Sequence, residues 1–376
     1  DAGPGEGRGA GRGHPGGGPE DPDQHPRGRR RLRAGRGPAP AGGLPGAGGD
    51  DDFGEGGAGE VEVSLKHGIF EAFIGGGAPK HISASEYKNI KDKIEALNEI
   101  ADIERKFAIV FLNFQNIEYQ NFDLGFNWMM GRFQKATEFQ DLYAQFNQSI
   151  TNFLSSIKMY HDQTDRNFSH IEKLSGLEQR EVKRIRSSIY DGSFIYRFGE
   201  NLRNFAQHNS LPVKGLSLGS RRVKTDTFSN AIEFSFDPYI EFKPIVNSKK
   251  THASVRKEIR AMPCDYVDLK YFVREYFSQC INLHQSIQSY TKIFFDQAIK
   301  FIESERHRLI PNPKNERLVS IGLFNETLKS DPINIGSEII ENIRYLRKKN
   351  EHIRPLERFH FTSEVVKNKQ KQIFYG

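Results

Sequence analysis

The chain has 376 residues, with 54 Lys and Arg against 48 Asp and Glu, a net charge of +6 and only two cysteines. Cys264 and Cys280 are too few for a disulfide-stapled scaffold or for a zinc site built on cysteines. No apolar run approaches the roughly 20 residues that cross a bilayer, and no secretory pattern is present. A soluble cytoplasmic protein is the expectation.

The first 60 residues hold 21 of the 35 glycines and eight arginines, with no lysine and almost no large apolar side chain. Such a stretch buries too little surface to offset its ordering entropy, so a disordered Gly/Pro/Arg-rich tail is expected. The composition changes at about Val61, and the chain starts at Asp1. A translated upstream region or fusion fragment accounts for the tail at least as readily as a functional arm does. Its net charge is −2 and that of the remainder is +8. The modest basic excess of the folding part is compatible with a phosphate-bearing partner without demanding one. The run Arg27, Arg29, Arg30, Arg31 and Arg33 reads as solvated chain sooner than as a nucleic-acid contact. Residues 61–82 read as a linker, since Gly75-Gly76-Gly77 lacks the Lys-Ser/Thr of a phosphate loop.

Ser83-x-x-Glu86 has capping-box spacing and opens a long helix that reaches about Gln120. Tyr87, Ile90, Ile94, Leu97, Ala101, Phe107, Phe111 and Phe114 recur every three or four residues, one apolar stripe suited to a bundle. A second helix is predicted from Glu138 to about Asp165, on Leu142, Phe146, Ile150, Phe153, Ile157 and Tyr160. Gly176 breaks that pattern, a third helix runs through Leu177, Val182, Ile185 and Ile189, and Asp191-Gly192 interrupts again.

The fourth predicted helix starts at a Ser193 cap. Phe194, Phe198, Leu202 and Phe205 form its apolar stripe, and Arg197, Glu200, Asn204 and His208 a separate polar one. Asn209 is a plausible C-terminal cap, and Pro212 cannot continue the helix. Between about 212 and 247 the period changes to alternation at Leu216 and Leu218 and at Ile232, Phe234 and Phe236, which predicts a small antiparallel β insertion of two or three strands. Helix returns from Val267 to about Arg308. Residues 309–376 form a C-terminal extension, with one helix over Ser337–Lys349 and irregular chain around it. The fold class is therefore mainly α: four or five helices over about 83–308 form a bundle domain, interrupted by the β insertion.

Within the fourth helix, Arg203-Asn204-x-x-x-His208 carries the clearest chemistry. Three looser Arg–His pairs also exist (Arg8 with His14, Arg347 with His352, Arg354 with His360), but none has Asn directly after Arg. The tight pattern, late in a run of amphipathic helices, resembles the motif of the HEPN-domain family, helical bundles that include many bacterial ribonuclease toxins. The resemblance covers about residues 84–208. It implies a metal-independent endoribonuclease with catalytic Arg203 and His208 and a polar helper in Asn204, with no cofactor and no metal. It further implies a homodimer with two motifs facing each other, RNA as substrate, a role as toxin or anti-phage effector, and an antitoxin or other protein partner.

The residue types suit that chemistry. Cutting RNA without a metal needs a base for the 2′-hydroxyl proton and a cation for the phosphoryl oxygens. Histidine titrates near working pH, and a guanidinium offers a planar fork matched to phosphate. Glu200 extends the polar stripe and is a candidate for fixing the tautomer of His208, with an ion pair to Arg197 or Arg203 as the plainer alternative. The competing function class is a non-catalytic dimeric bundle that holds protein or RNA. His161, Asp162, Asp165 and His170 do not share one helical face and read as a polar helix end, not a metal site. His284, among apolar positions, reads as a core histidine.

Overall fold

The computed structural model describes residues 67–72, 80–133, 136–225, 228–309, 320–325 and 333–356. All of these lie in one unit, Glu62–Gly376. The expected disordered tail, the glycine run at 75–77 and the chain after 356 fall outside the described residues.

Five helices form the bundle: α1 (Ala84–Met129), α2 (Ala136–Ser175), α3 (Gln179–Gly192), α4 (Phe194–His208) and α7 (Leu269–Leu309). Between α4 and α7 lie β3 (Gly215–Val223), β4 (Ala231–Glu241), α5 (Phe242–Asn247), α6 (Ala253–Arg260) and β5 (Tyr266–Asp268). The outer elements are β1 (His67–Ala72), β2 (Lys80–His81), β6 (Ser320–Asn325), β7 (Ile333–Asn334) and α8 (Ser337–Glu351).

Local signals set the bundle's ends. The Ser83 side chain accepts from the Glu86 N–H at 3.2 Å while Glu86 Oε2 accepts from the Ser83 N–H at 2.9 Å, a complete capping box. Gly176 takes φ +75° where α2 stops, a region that favours glycine. The Ser193 hydroxyl accepts from the Tyr196 N–H at 3.2 Å and starts α4 directly after α3. Phe107, Phe114, Phe153, Tyr160, Phe198, Phe272, Tyr276 and Phe277 form the aromatic centre of one continuous core, each at most 4% exposed.

The β insertion is a three-stranded antiparallel sheet in the order β3-β4-β5, with Leu218 opposite Phe236 and Ile240 opposite Val267. Val267, expected to begin the last long helix, is instead in β5, because the edge of β4 at Tyr239–Glu241 captures its backbone.

The 61–82 stretch is not a bare linker. Its β1 is central in a second sheet of order β2-β1-β6-β7, paired antiparallel with β6. That pairing brings 320–325 of the C-terminal extension back onto the start of the unit. Ile69, Leu323, Ile335, Ile340 and Ile343 are all buried in the main core, so this extension is part of the fold and not an appendage.

Candidate functional site

α4 is fixed along most of its length. Phe198, Leu202 and Phe205 are buried, and Gly199 lies so close to α7 that a Cβ there would sit 2.5 Å from the Tyr276 ring. A mid-helix glycine costs about 1 kcal/mol relative to alanine; here it permits the close approach that seats α4. Arg197 makes a two-pronged bond to Glu258 at 2.7 and 3.2 Å and donates to the carbonyls of Tyr190 and Asp191 at 2.6 and 2.8 Å. Asn201 is buried and accepts from the His252 N–H at 2.7 Å, and Asn209 donates to Ser248 at 2.8 Å past the helix end.

The last turns of α4 differ. Arg203 is half-buried, and its sole hydrogen bond among the described residues runs from Nη1 to Asn204 Oδ1 at 3.2 Å. Its Nε is buried with no acceptor. Asn204 and His208 are exposed, and His208 has neither a hydrogen bond nor an ion pair among the described residues. Elsewhere in the bundle, Arg186, Arg197 and Arg274 each hold a carboxylate at 2.7 Å. Arg347, which satisfies the looser Arg–His spacing with His352, donates to Thr291 at 3.0 Å and lies over the Phe295 ring. Among the described residues no carboxylate pairs with Arg203.

Glu200 does not join this end. Its Oε1 accepts from His161 Nδ1 at 3.1 Å and lies 3.4 Å from the Tyr276 hydroxyl. A carboxylate only accepts, so Nδ1 carries the His161 proton, and the Tyr196 hydroxyl lies 3.1 Å from Nε2. Burial alone would raise the Glu200 carboxyl, but the His161 bond and charge, together with the Lys158 charge and the Tyr276 bond, outweigh it and hold the group below the usual carboxylate value. The ordinary ion pairs considered from the sequence, Glu200 with Arg197 or Arg203, are not formed. His161, which the sequence places at a polar helix end, is instead buried on α2 and pairs with Glu200, 39 residues away on another helix.

Beside this pair is a cavity of about 350 Å³ between α2, α3 and α4, lined by Lys158, Asp162, Arg186, Tyr190 and Glu200 among others. Its charges are largely matched: Lys158 to Asp162 at 2.6 Å, and Arg186 to Asp165 at 2.7 Å. His170 pairs with Glu99 at 3.1 Å. The four residues His161, Asp162, Asp165 and His170 thus go to four different partners, and among the described residues no group of three or more potential ligands converges on a metal position. Among the same residues no helix is long and apolar enough to cross a membrane. Compared with family models, with curated proteins and with solved structures, the chain matches none.

Proposed function

We propose that the chain is a metal-independent endoribonuclease acting through Arg203, Asn204 and His208. The observation that carries the reading is the state of these side chains at the end of an otherwise locked helix: among the described residues, a cation without a carboxylate, next to an exposed amide and an exposed, unbonded imidazole. Polar groups built only to hold a fold are paired, as Arg197 and Glu200 are.

In this reading Arg203 holds the non-bridging phosphoryl oxygens, and Asn204 orients the phosphate. His208 takes the proton of the 2′-hydroxyl as that oxygen bonds to phosphorus. The bond from phosphorus to the 5′-oxygen breaks, and the leaving oxygen takes a proton from water or from the His208 of a second copy. The products are a 2′,3′-cyclic phosphate end and a 5′-hydroxyl end. Glu200 acts only by anchoring α4 to α2 through His161. A homodimer, a place as toxin or anti-phage effector in the cytoplasm, and an antitoxin partner belong to the same proposal.

The test is cleavage of a panel of single-stranded RNAs in EDTA by the full chain. Wild-type protein is expected to cut, and His208→Ala to lose on the order of 10²–10⁴ in rate. RNA left whole by folded wild-type protein across the panel moves the assignment to the second reading, a bundle that binds RNA or protein without cutting. That reading is favoured by the exposed apolar face of α1.

A further inference from the structure

The second half of α1 presents an unusual outer surface. Its exposed positions include 105, 109, 112, 116, 119, 123, 126 and 130, alternating steps of four and three. The residues from 109 onward are Ile109, Leu112, Asn116, Tyr119, Asp123, Phe126 and the C-cap Met130. The five apolar ones are 43–65% exposed. The opposite face of the same segment, Phe107, Val110, Phe114, Ile117 and Leu124, is buried in the core. The helix is therefore apolar on both sides. A mean step of 3.5 residues is the spacing at which two α-helices wind around each other, whereas the outward face of a bundle helix is ordinarily polar.

We propose that this face is an antiparallel helix–helix seam to a second copy of the chain, centred near residue 121, with Tyr119 facing the partner's Asp123 and Leu112 facing the partner's Met130. The match needs another free apolar stripe of the same pitch. Among the described residues no other long helix has one: the outer face of α2 is polar at Asp141, Gln148, Asn152, Asp162 and Arg166, and α7 exposes only scattered apolar side chains such as Tyr271 and Ile293. The matching helix is a second α1.

Charge selects the direction. A parallel pair in register sets Asp123 against Asp123, a juxtaposition of like charges that is penalised across an interface. The antiparallel pair instead lets each Tyr119 hydroxyl donate to an Asp123 carboxylate across the seam, twice by symmetry.

The strip from 109 to 130 is about 32 Å long at 1.5 Å per residue. Its five apolar side chains leave on the order of 100 Å² each uncovered. That is less than the about 800 Å² per partner of a standard interface, so the seam is at the small end of specific contacts. This seam is a different contact from the motif-facing homodimer of the ribonuclease reading, because neither Arg203 nor His208 is on this face, so either contact can fail without the other.

Sedimentation velocity and native mass spectrometry on the full chain between about 1 and 100 μM test it (a range set by ordinary dimer affinities). A dimer is expected, and Tyr119→Glu with Phe126→Glu is expected to weaken it roughly 100-fold or more, the loss of two central anchors. Circular dichroism should be unchanged, because both side chains point outward. In a Cys264→Ser background, Leu112→Cys with Met130→Cys should give a disulfide-linked dimer under oxidation. Leu112→Cys alone should give none, its two copies lying about 27 Å apart along an antiparallel pair. A protein monomeric at 100 μM, a dimer indifferent to the double glutamate variant, or cross-linking by Leu112→Cys alone overturns the proposal.

Discussion

Two places in this molecule gather histidine, arginine and amide side chains, and they treat them in opposite ways. Between α1, α7 and α8, the Glu104 carboxylate is 2% exposed and accepts from His284 Nε2 at 2.9 Å, Gln288 Nε2 at 2.9 Å and Asn350 Nδ2 at 2.7 Å. The other nitrogen of His284 lies 3.0 Å from the Tyr160 hydroxyl, and its ring stacks on Phe107 at 3.8 Å. Almost every polar atom there is used. At the C-terminal end of α4, Arg203 bonds only its neighbour and His208 bonds nothing among the described residues. Residue type does not separate a structural cluster from a chemical one; saturation and access do. The first cluster joins three helices that the sequence places far apart, and the second leaves donors available to a ligand.

Breaking the saturated cluster is the largest effect expected. Glu104→Ala strands the imidazole of His284 and two buried amides, and removing one member of a buried charged network costs about 3–5 kcal/mol. In a unit of this size that lowers Tm by about 10 °C, readable by calorimetry or by the urea midpoint. A loss below about 1 kcal/mol would show that water replaces the carboxylate there.

The same cluster makes acid the sensitive direction. Burial pushes the Glu104 carboxyl up, but the His284 charge and the bonds from His284, Gln288 and Asn350 outweigh it, leaving the group below the ordinary value of 4.5. A carboxyl depressed in the folded state stabilises fully above its unfolded value, and loses that contribution as pH falls through the folded one. Wild-type stability should therefore decline below about pH 4.5, and Glu104→Ala should show a shallower decline in that window. Parallel pH profiles for the two proteins would remove Glu104 from the account.

How much of this was legible follows from range. The capping box at Ser83, the stop at Gly176 and the start at Ser193 are decided by residues within a few positions, and the sequence reading places all three. The pairing of β1 with β6 joins strands of six residues each across about 250 positions, and no local pattern announces it. α5 and α6 were missed because six and eight residues carry too little periodicity. On α1, attention to the buried stripe hid the second, outward one. At the candidate site the motif gave Arg203, Asn204 and His208 their numbers, but Glu200 faced His161 instead of His208, a choice set by the packing of α2 against α4.

That packing offers a test of intermediate size. Gly199→Ala drives a methyl into the Tyr276 ring, and overpacking of this kind costs about 1–3 kcal/mol. Alanine also gains about 1 kcal/mol of helix propensity over glycine, so a net loss appears only if α4 cannot move away from α7. If stability falls and the His161–Glu200 contact weakens with it, α4 is held by close approach as described. If Gly199→Ala is neutral or stabilising by thermal melt, α4 slides freely, and the seat given to Arg203 one turn later is not rigid.

The smallest effect completes the contrast. His208 is exposed at the end of α4 and has no hydrogen bond or ion pair among the described residues. A surface substitution away from caps and networks changes stability by no more than about 0.5 kcal/mol. The cap at this helix end belongs to Asn209, whose N–H reaches the Phe205 carbonyl at 2.9 Å and whose side chain holds Ser248. Replacing the imidazole therefore removes no fold-holding contact, and the urea midpoint of His208→Ala should coincide with that of wild type. Side by side with Glu104→Ala, the two variants separate a histidine cluster that holds the fold from one that the fold holds out. A destabilisation of His208→Ala above about 1 kcal/mol, well beyond that surface range, would mean that His208 braces α4 after all, and any loss of RNA cleavage in that variant would then have to be read through stability before chemistry.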